Sequence, residues 1–293
     1  MRSETALQRA QEYVRIPFVG GEAVAAGALT RGQLRHRYRT IFHGIYVPER
    51  HEVSLRDRIE GAALVAPNAV IAGVAASAVH GARWVDDAAP IEIVGTCRRQ
   101  RGLIVRNELL GGDDVTEVGG IRVTTPARTA FDLARHLPRD RAIARLDALM
   151  NSRPYSDEDV MLIAKKHHGA RGLVRLRTAL PLVDRGAESP KETWLRLTFI
   201  DAGLPKPTTQ FVVRTESGRY VRRIDMVWEE FKVGAEYDGA QHLTDRYQYS
   251  RDVWAGRELQ RMNWRVIHVI KEDAAADIVD AARTALLSRG WRP

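Results

Sequence analysis

The last hundred residues constrain the fold most, because start and stop signals follow one another there with little unassigned chain between them. Ser189-Pro190-Lys191-Glu192 sets a serine N-cap, a proline at the first helical position and a glutamate at the third, so a helix starts here and runs to Gly203. Pro205 and Pro207 break the chain, "TQFVVRT" reads as a strand, and Ser217-Gly218 signals a hairpin into "RRIDMVW". An acidic turn leads to "FKVGAEY", then to a helical "DRYQYSRDVWAGRELQRMN" with Asp245 and Gln248 spaced as a capping box and Asn263 suited to a left-handed C-terminal position. "WRVIHVI" is a buried-type strand, and a last helix runs from about Asp273 to Ser288. The order α-β-β-β-α-β-α predicts a sheet core flanked by helices.

Three carboxylates interrupt this pattern. A turn across Glu229 to Lys232 places Trp228 opposite Val233 and, counting back, Asp225 opposite Glu236, with Cβ atoms about 4.5 to 5.5 Å apart. Period-two alternation adds Asp238 to the face of Glu236, and sends Val233, Ala235 and Tyr237 the other way with Ile224, Met226 and Trp228. Opposed like charges need something positive between them. A hard cation such as Mg²⁺ or Mn²⁺ meets that need, and so does an arginine from Arg222, Arg223 or Arg214 on a solvated sheet face. Gly239 permits a bend, and His242 arrives about one turn later, where an imidazole can take a proton from a water or simply cap a loop. Carboxylates, cation and base together describe phosphodiester hydrolysis.

At the other end, residues 4 to 14 have helical composition, and "GGEAVAAGALTRGQLRHRYRTIFHGIYV" gives a short helix, a turn at Gly27-Ala28-Leu29 and a second helix capped by Thr30 and Gln33. That helix is read as carrying Arg31, Arg35, Arg37 and Arg39 without an acid, followed by a short ribbon around Gly44. Such an arrangement is a winged helix-turn-helix whose arginines suit phosphates or guanine edges, or else a solvated basic face. The net charge of +8, from 45 Lys and Arg against 37 Asp and Glu, makes DNA a natural partner. The single Cys97 excludes an intramolecular disulfide and fits a reducing, cytoplasmic setting. No apolar run suggests export or membrane spanning.

Between these ends, a helix closed by Pro67 precedes "AVIAGVAASAVHGARW", whose alanines and glycines suggest closely packed helices. "IEIVG" and "LIVRNEL" are strand-like, Gly119-Gly120 marks a hairpin, and Pro126 opens the amphipathic helix "PARTAFDLARHL". His80 and His136 read as core or helix-end residues.

The ordered residues "ESPKETWLRLTFIDAGLP", "TQF", "RIDMVW", "FKVGAEYDGAQH", "DRYQYSRDVW" and "NWRVIHV" resemble the family related to very-short-patch-repair endonucleases, within the PD-(D/E)xK restriction-endonuclease-like superfamily. The resemblance implies metal binding by Asp225 and Glu236, an auxiliary acidic role for Glu192 and an acid-base role for His242; Gln210 also matches. Ile224 stands where the superfamily name has Pro, and Asp238 where it has Lys, so Asp238 adds a ligand and His242 takes over the lysine's function. "LTRGQLRHRYRTIFHGIYV" and "AGVAASAVHG" are similar to the abortive-infection (AbiEi-type) antitoxins, which implies DNA binding coupled to autoregulation or toxin control.

The expected molecule is therefore an α/β (α+β) multidomain protein: a winged helix over 1–52, a mixed α/β and helical domain over 53–187 and an endonuclease-like α/β/α domain over 188–293. The expected activity is metal-dependent DNA cleavage, with Arg251 and Arg257 as phosphate clamps or plain surface residues. The alternative is an antitoxin-like regulator that keeps an inactive nuclease fold, with a toxin or another protein as partner.

Overall fold

The computed structural model describes residues 16–238 and 246–293. The fold is mixed α/β, and the chain divides into two compact units, one of Met1–Pro138 with Ser152–Leu180 and one of Arg139–Asn151 with Pro181–Pro293.

The first unit begins with β1 (Phe18–Val19), α1 (Gly20–Ala25), α2 (Arg31–Arg37), β2 (Tyr38–Phe42) and β3 (Ile45–Pro48), the strands forming a sheet of order β1-β3-β2. Thr30 and Gln33 close the expected capping box: Thr30 Oγ1 accepts the Gln33 N–H at 3.1 Å and Gln33 Oε1 accepts the Thr30 N–H at 2.8 Å. The basic helix is shorter than expected. It stops at Arg37, because Tyr38 already pairs with Pro48 in the ribbon, so Arg39 lies on β2 and donates to the carbonyls of Glu49 and His51.

Next comes α3 (Leu55–Val65), which lays Leu55, Ile59 and Ala62 against Phe42 and Ile45 of the ribbon and against Ile71, Ile91, Ile93 and Val123 of a second sheet. One continuous apolar core thus joins the ribbon to the second sheet, and no border between compact units falls near residue 52. The second sheet comprises β4 (Val70–Ala72), β5 (Ile91–Val94), β6 (Leu103–Arg106), β7 (Val115–Val118) and β8 (Ile121–Thr124), in the order β6-β5-β4-β8-β7. Val70–Ala72, expected within a helical run, is a strand; only from Gly73 does α4 (Gly73–Val79) begin. Gly73 is required there: its φ is +57°, and a Cβ would lie 2.3 Å from Oε1 of the buried Glu92. α5 (Pro126–His136) starts at the expected proline, capped by Thr125. α6 (Arg139–Ser152) comes next, and α7 (Asp157–Lys166) and α8 (Leu173–Ala179) return to the first unit.

The second unit is built on α9 (Pro190–Asp201), β9 (Thr208–Arg214), β10 (Tyr220–Trp228), β11 (Val233–Tyr237), α10 (Arg246–Arg261), β12 (Arg265–Val269) and α11 (Ala275–Ser288), with strand order β12-β11-β10-β9. β9, β10 and β11 are antiparallel neighbours, and β12 runs parallel to β11. One sheet face packs Met226, Trp228, Val233 and Ala235 with Leu195 and Phe199 of α9 and with Ile278, Ala282 and Leu286 of α11. The other packs Val213, Ile224 and Val227 with Ala255 and Leu259 of α10. Helices cover both faces, so both are apolar, and the expected division into one apolar and one carboxylate face does not hold. Ile224 and Met226 join opposite clusters because the alternation breaks beside Gln210, which stands opposite Asp225 with a φ of +53°.

α6 belongs to this unit through Asp147. Its buried carboxylate accepts Arg196 Nη2 at 2.7 Å, the Thr193 hydroxyl at 2.8 Å and the Asp184 N–H at 2.7 Å, while Arg196 Nη1 donates to the Leu182 carbonyl. Residues 139–151 group with 181–293 for this reason. No helix among the described residues is long and apolar enough to cross a membrane.

Candidate metal and nucleic-acid site

The β10–β11 ladder pairs Met226 with Ala235, Val227 with Gly234 and Trp228 with Val233, the register read from the sequence. The ladder ends at that first pair, with Asp225 the next residue back on β10 and Glu236 the next residue on along β11. The Asp225 side chain turns into the gap at this point: its Oδ2 accepts the Tyr237 N–H at 3.0 Å. Burial raises the Asp225 carboxyl above its usual value, and the Tyr237 N–H and the charge of Arg223 only partly oppose this.

Glu236 is the most enclosed member of the group, 4% exposed. Its Oε1 accepts Arg222 Nε at 2.7 Å, and Arg222 Nη1 reaches Asp252 at 3.3 Å. Arg222 thus supplies a counter-charge, whereas Arg223 is turned to Glu188 and Arg214 to the Gly218 carbonyl. Glu236 Oε2 is buried and accepts no hydrogen bond. Burial raises this carboxyl as well, more than Arg222 lowers it.

Beside Oε2 lies His268, which sequence reading did not single out. The parallel β11–β12 register pairs it with Glu236, its Nδ1 is 3.7 Å from Glu236 Oε2, and it contacts Asp238 Oδ2 at 2.9 Å. Glu236, Asp238 and His268 each offer one ligand atom, all within 4.8 Å of one another. Two carboxylates and an imidazole can accept a hard divalent cation, and the unpartnered Oε2 is the atom such an ion would satisfy. "WRVIHVI" reads only as a strand; the pairing that brings His268 to Glu236 spans the whole of α10.

Glu192 sits in the first turn of α9, its N–H on Ser189 Oγ at 3.2 Å. Its carboxylate accepts the Glu188 N–H at 2.8 Å and Gln210 Nε2 at 3.0 Å. Burial raises its carboxyl, and the nearby charge of Asp225 adds to the rise. Gln210 Oε1 is buried without a partner. Asp225, Glu236, Asp238 and Glu192 are thus gathered at one end of the sheet, while His242 lies outside the described residues.

A cleft of about 830 Å³ opens next to Arg222 and is lined also by Arg219, Arg223, Arg251, Asp252 and Trp254. The Arg219 guanidinium lies 4.3 Å from the Trp254 ring centroid. Arg251 is part of this basic cleft; Arg257 is exposed and does not line it. On the first unit, Arg31, Arg35 and Arg37 are exposed on α2, which buries no residue, and Arg39 is exposed on β2.

Residues 62–182 match the family described as the AbiEi antitoxin C-terminal domain, a span that includes β4 to β8 and the helices after them. Two Mycobacterium tuberculosis proteins are similar to the chain: uncharacterized protein MT2308 of strain CDC 1551 / Oshkosh and uncharacterized protein Rv2248 of strain ATCC 25618 / H37Rv. Each is 33% identical over 172 residues, which is 59% of this chain and 62% of the relative's own length. The chain carries an AbiEi antitoxin-like region.

Proposed function

We propose that this is a DNA-binding protein in which an antitoxin-like unit accompanies a metal-dependent phosphodiesterase site. The observation that carries the second half is Glu236 Oε2, a buried carboxylate oxygen without a hydrogen bond beside Asp238 and His268. Asp225, Glu236 and Asp238 are the residues that would hold Mg²⁺ or Mn²⁺, with Glu192 adding to the negative field that draws the cation. A divalent ion held there supplies Lewis-acid stabilisation to the charge on a bound phosphodiester. The arginines of the neighbouring cleft, Arg219 and Arg251 among them, hold the DNA backbone against the carboxylates. His242 is the proposed proton acceptor for the attacking water. Arg31, Arg35, Arg37 and Arg39 are proposed to meet duplex DNA.

Purified protein incubated with supercoiled plasmid and Mg²⁺ or Mn²⁺ should nick it, and chelation should stop the reaction. Asp225→Asn should slow nicking by about a hundredfold or more, the scale of losing one charge-stabilising group.

A second reading follows from Arg222. Its guanidinium already holds Glu236 Oε1, and His268 holds Asp238, so the cluster is partly neutralised without an ion. On this reading the protein is an antitoxin-like regulator with an inactive nuclease fold. Wild type and Asp225→Asn that both leave plasmid intact, while both bind DNA, would establish it.

A further inference from the structure

The first unit contains a cleft of about 570 Å³, lined by residues of that unit alone. It is edged by Arg106, Glu108, Arg135, His136, Lys166 and Arg171. Its only carboxylate is fully engaged: Glu108 Oε2 accepts Arg128 at 3.0 Å and Arg135 at 2.7 Å, and Oε1 meets His136 Nε2 at 3.0 Å. Asp114 and Asp132, behind the cleft, are likewise taken by Arg128 and Arg135.

The cations are not used up in the same way. Arg135 is 5% exposed, its guanidinium lies 4.3 Å from the Phe131 ring centroid, and its Nε, like Nδ1 of His136, is buried without a hydrogen-bond partner. Lys166 and Arg171 are exposed on the rim, with no acid opposite either of them among the described residues. Lys166 ends α7, and the loop that presents Arg171 is fixed: Arg135 Nη1 donates to the Arg171 carbonyl at 3.0 Å, and a Cβ on Gly172 would come within 2.5 Å of the Arg135 carbonyl oxygen. The field inside is positive. Burial would raise the Glu108 carboxyl, but the His136 hydrogen bond and the charges of Arg135 and Arg128 hold it down to about 2. Beside this basic wall stands Leu109, 83% exposed, an apolar lip. The volume lies within the roughly 300 to 1,000 Å³ of small-ligand sites.

Exposed cations with no acid opposite them, beside an apolar lip, suit a ligand that joins a phosphate to a flat ring. We propose that this cleft binds a nucleotide phosphate, with its oxygens on Lys166 and Arg171 in the positive field of Arg135, and its base against Leu109. The phosphate belongs either to a free nucleotide or to the 5′ end of a strand.

Calorimetric titration of the full chain with ADP, inorganic phosphate, adenosine and a short oligothymidine with or without a 5′-phosphate tests this. Saturable binding of ADP or of the 5′-phosphorylated strand is expected, with adenosine at least about tenfold weaker. Lys166→Glu combined with Arg171→Glu should weaken binding by about tenfold or more with an unchanged melting temperature, since both side chains are exposed. Leu109→Ser should weaken ADP but not inorganic phosphate. Preference for the 5′-phosphorylated strand over ADP assigns the phosphate to nucleic acid, and the reverse assigns it to a free nucleotide. Absence of saturable binding by the wild type, adenosine binding as tightly as ADP, or unchanged affinity in the double variant would overturn the proposal.

Discussion

Glu108 and Glu236 show how differently a partly buried carboxylate fares with and without enough donors. Glu108 accepts from two arginines and a histidine, and its carboxyl falls from 4.5 to about 2; Glu236 has one oxygen on Arg222 and one on nothing, and its carboxyl rises. Because the folded value of Glu108 lies below the unfolded one, its stabilisation is fully present above about pH 4.5 and is lost as pH falls toward 2. The shift corresponds to roughly 3 kcal/mol, reduced to about 2 kcal/mol by screening at a partly open site. Glu108→Gln should therefore cost about 2 kcal/mol in urea unfolding at pH 7 and clearly less at pH 3.5. An equal cost at both pH values would mean that the charge of Glu108 contributes nothing and that only its shape matters.

At the scale of single elements, α2 is the test case. Seven residues are too few for a stable isolated helix, and none of these is buried, so the Thr30–Gln33 box and the adjoining ribbon hold it. Thr30→Ala should cost about 1 kcal/mol. Arg31→Glu with Arg35→Glu should leave the melting temperature unchanged, lower DNA affinity, and reduce the salt dependence of binding by about two phosphate contacts. A salt slope that does not change would remove α2 from the DNA contact. The start of this helix is legible in the sequence because capping is local chemistry, and the same holds for Ser189 and Pro126. Its end is not legible: Arg37 and Arg39 differ only in that Tyr38 finds Pro48 across the ribbon. Val70–Ala72 is hidden in the same way. It is a three-residue strand buried on both faces, without alternation, and its neighbours Val94, Ile93 and Glu92 on β5 and Val123 on β8 make it one.

At the scale of the molecule, the hairpin register and the gathering of Asp225 and Glu236 are legible, since a turn and a period of two suffice to derive them. Arg222 is legible only as one of three candidate arginines, and His268 is not legible at all, because the parallel partner of β11 and the bend beside Gln210 depend on how the whole sheet is assembled. The same limit hides the membership of α6, which the chain places between helices of the first unit but which Asp147 ties to the second. The consequence can be measured. In the full chain Arg196 is buried against Asp147, and Arg196→Met would strand a buried carboxylate, at a cost of about 3 kcal/mol or more. A fragment of residues 181–293 lacks Asp147, so it should melt below the full chain's second unit. In that fragment Arg196→Met should cost nothing, because the charge it would strand is no longer there. Equal losses in fragment and full chain would show that Arg196 acts through the Leu182 carbonyl and its own packing, and that α6 is not part of what holds this unit together.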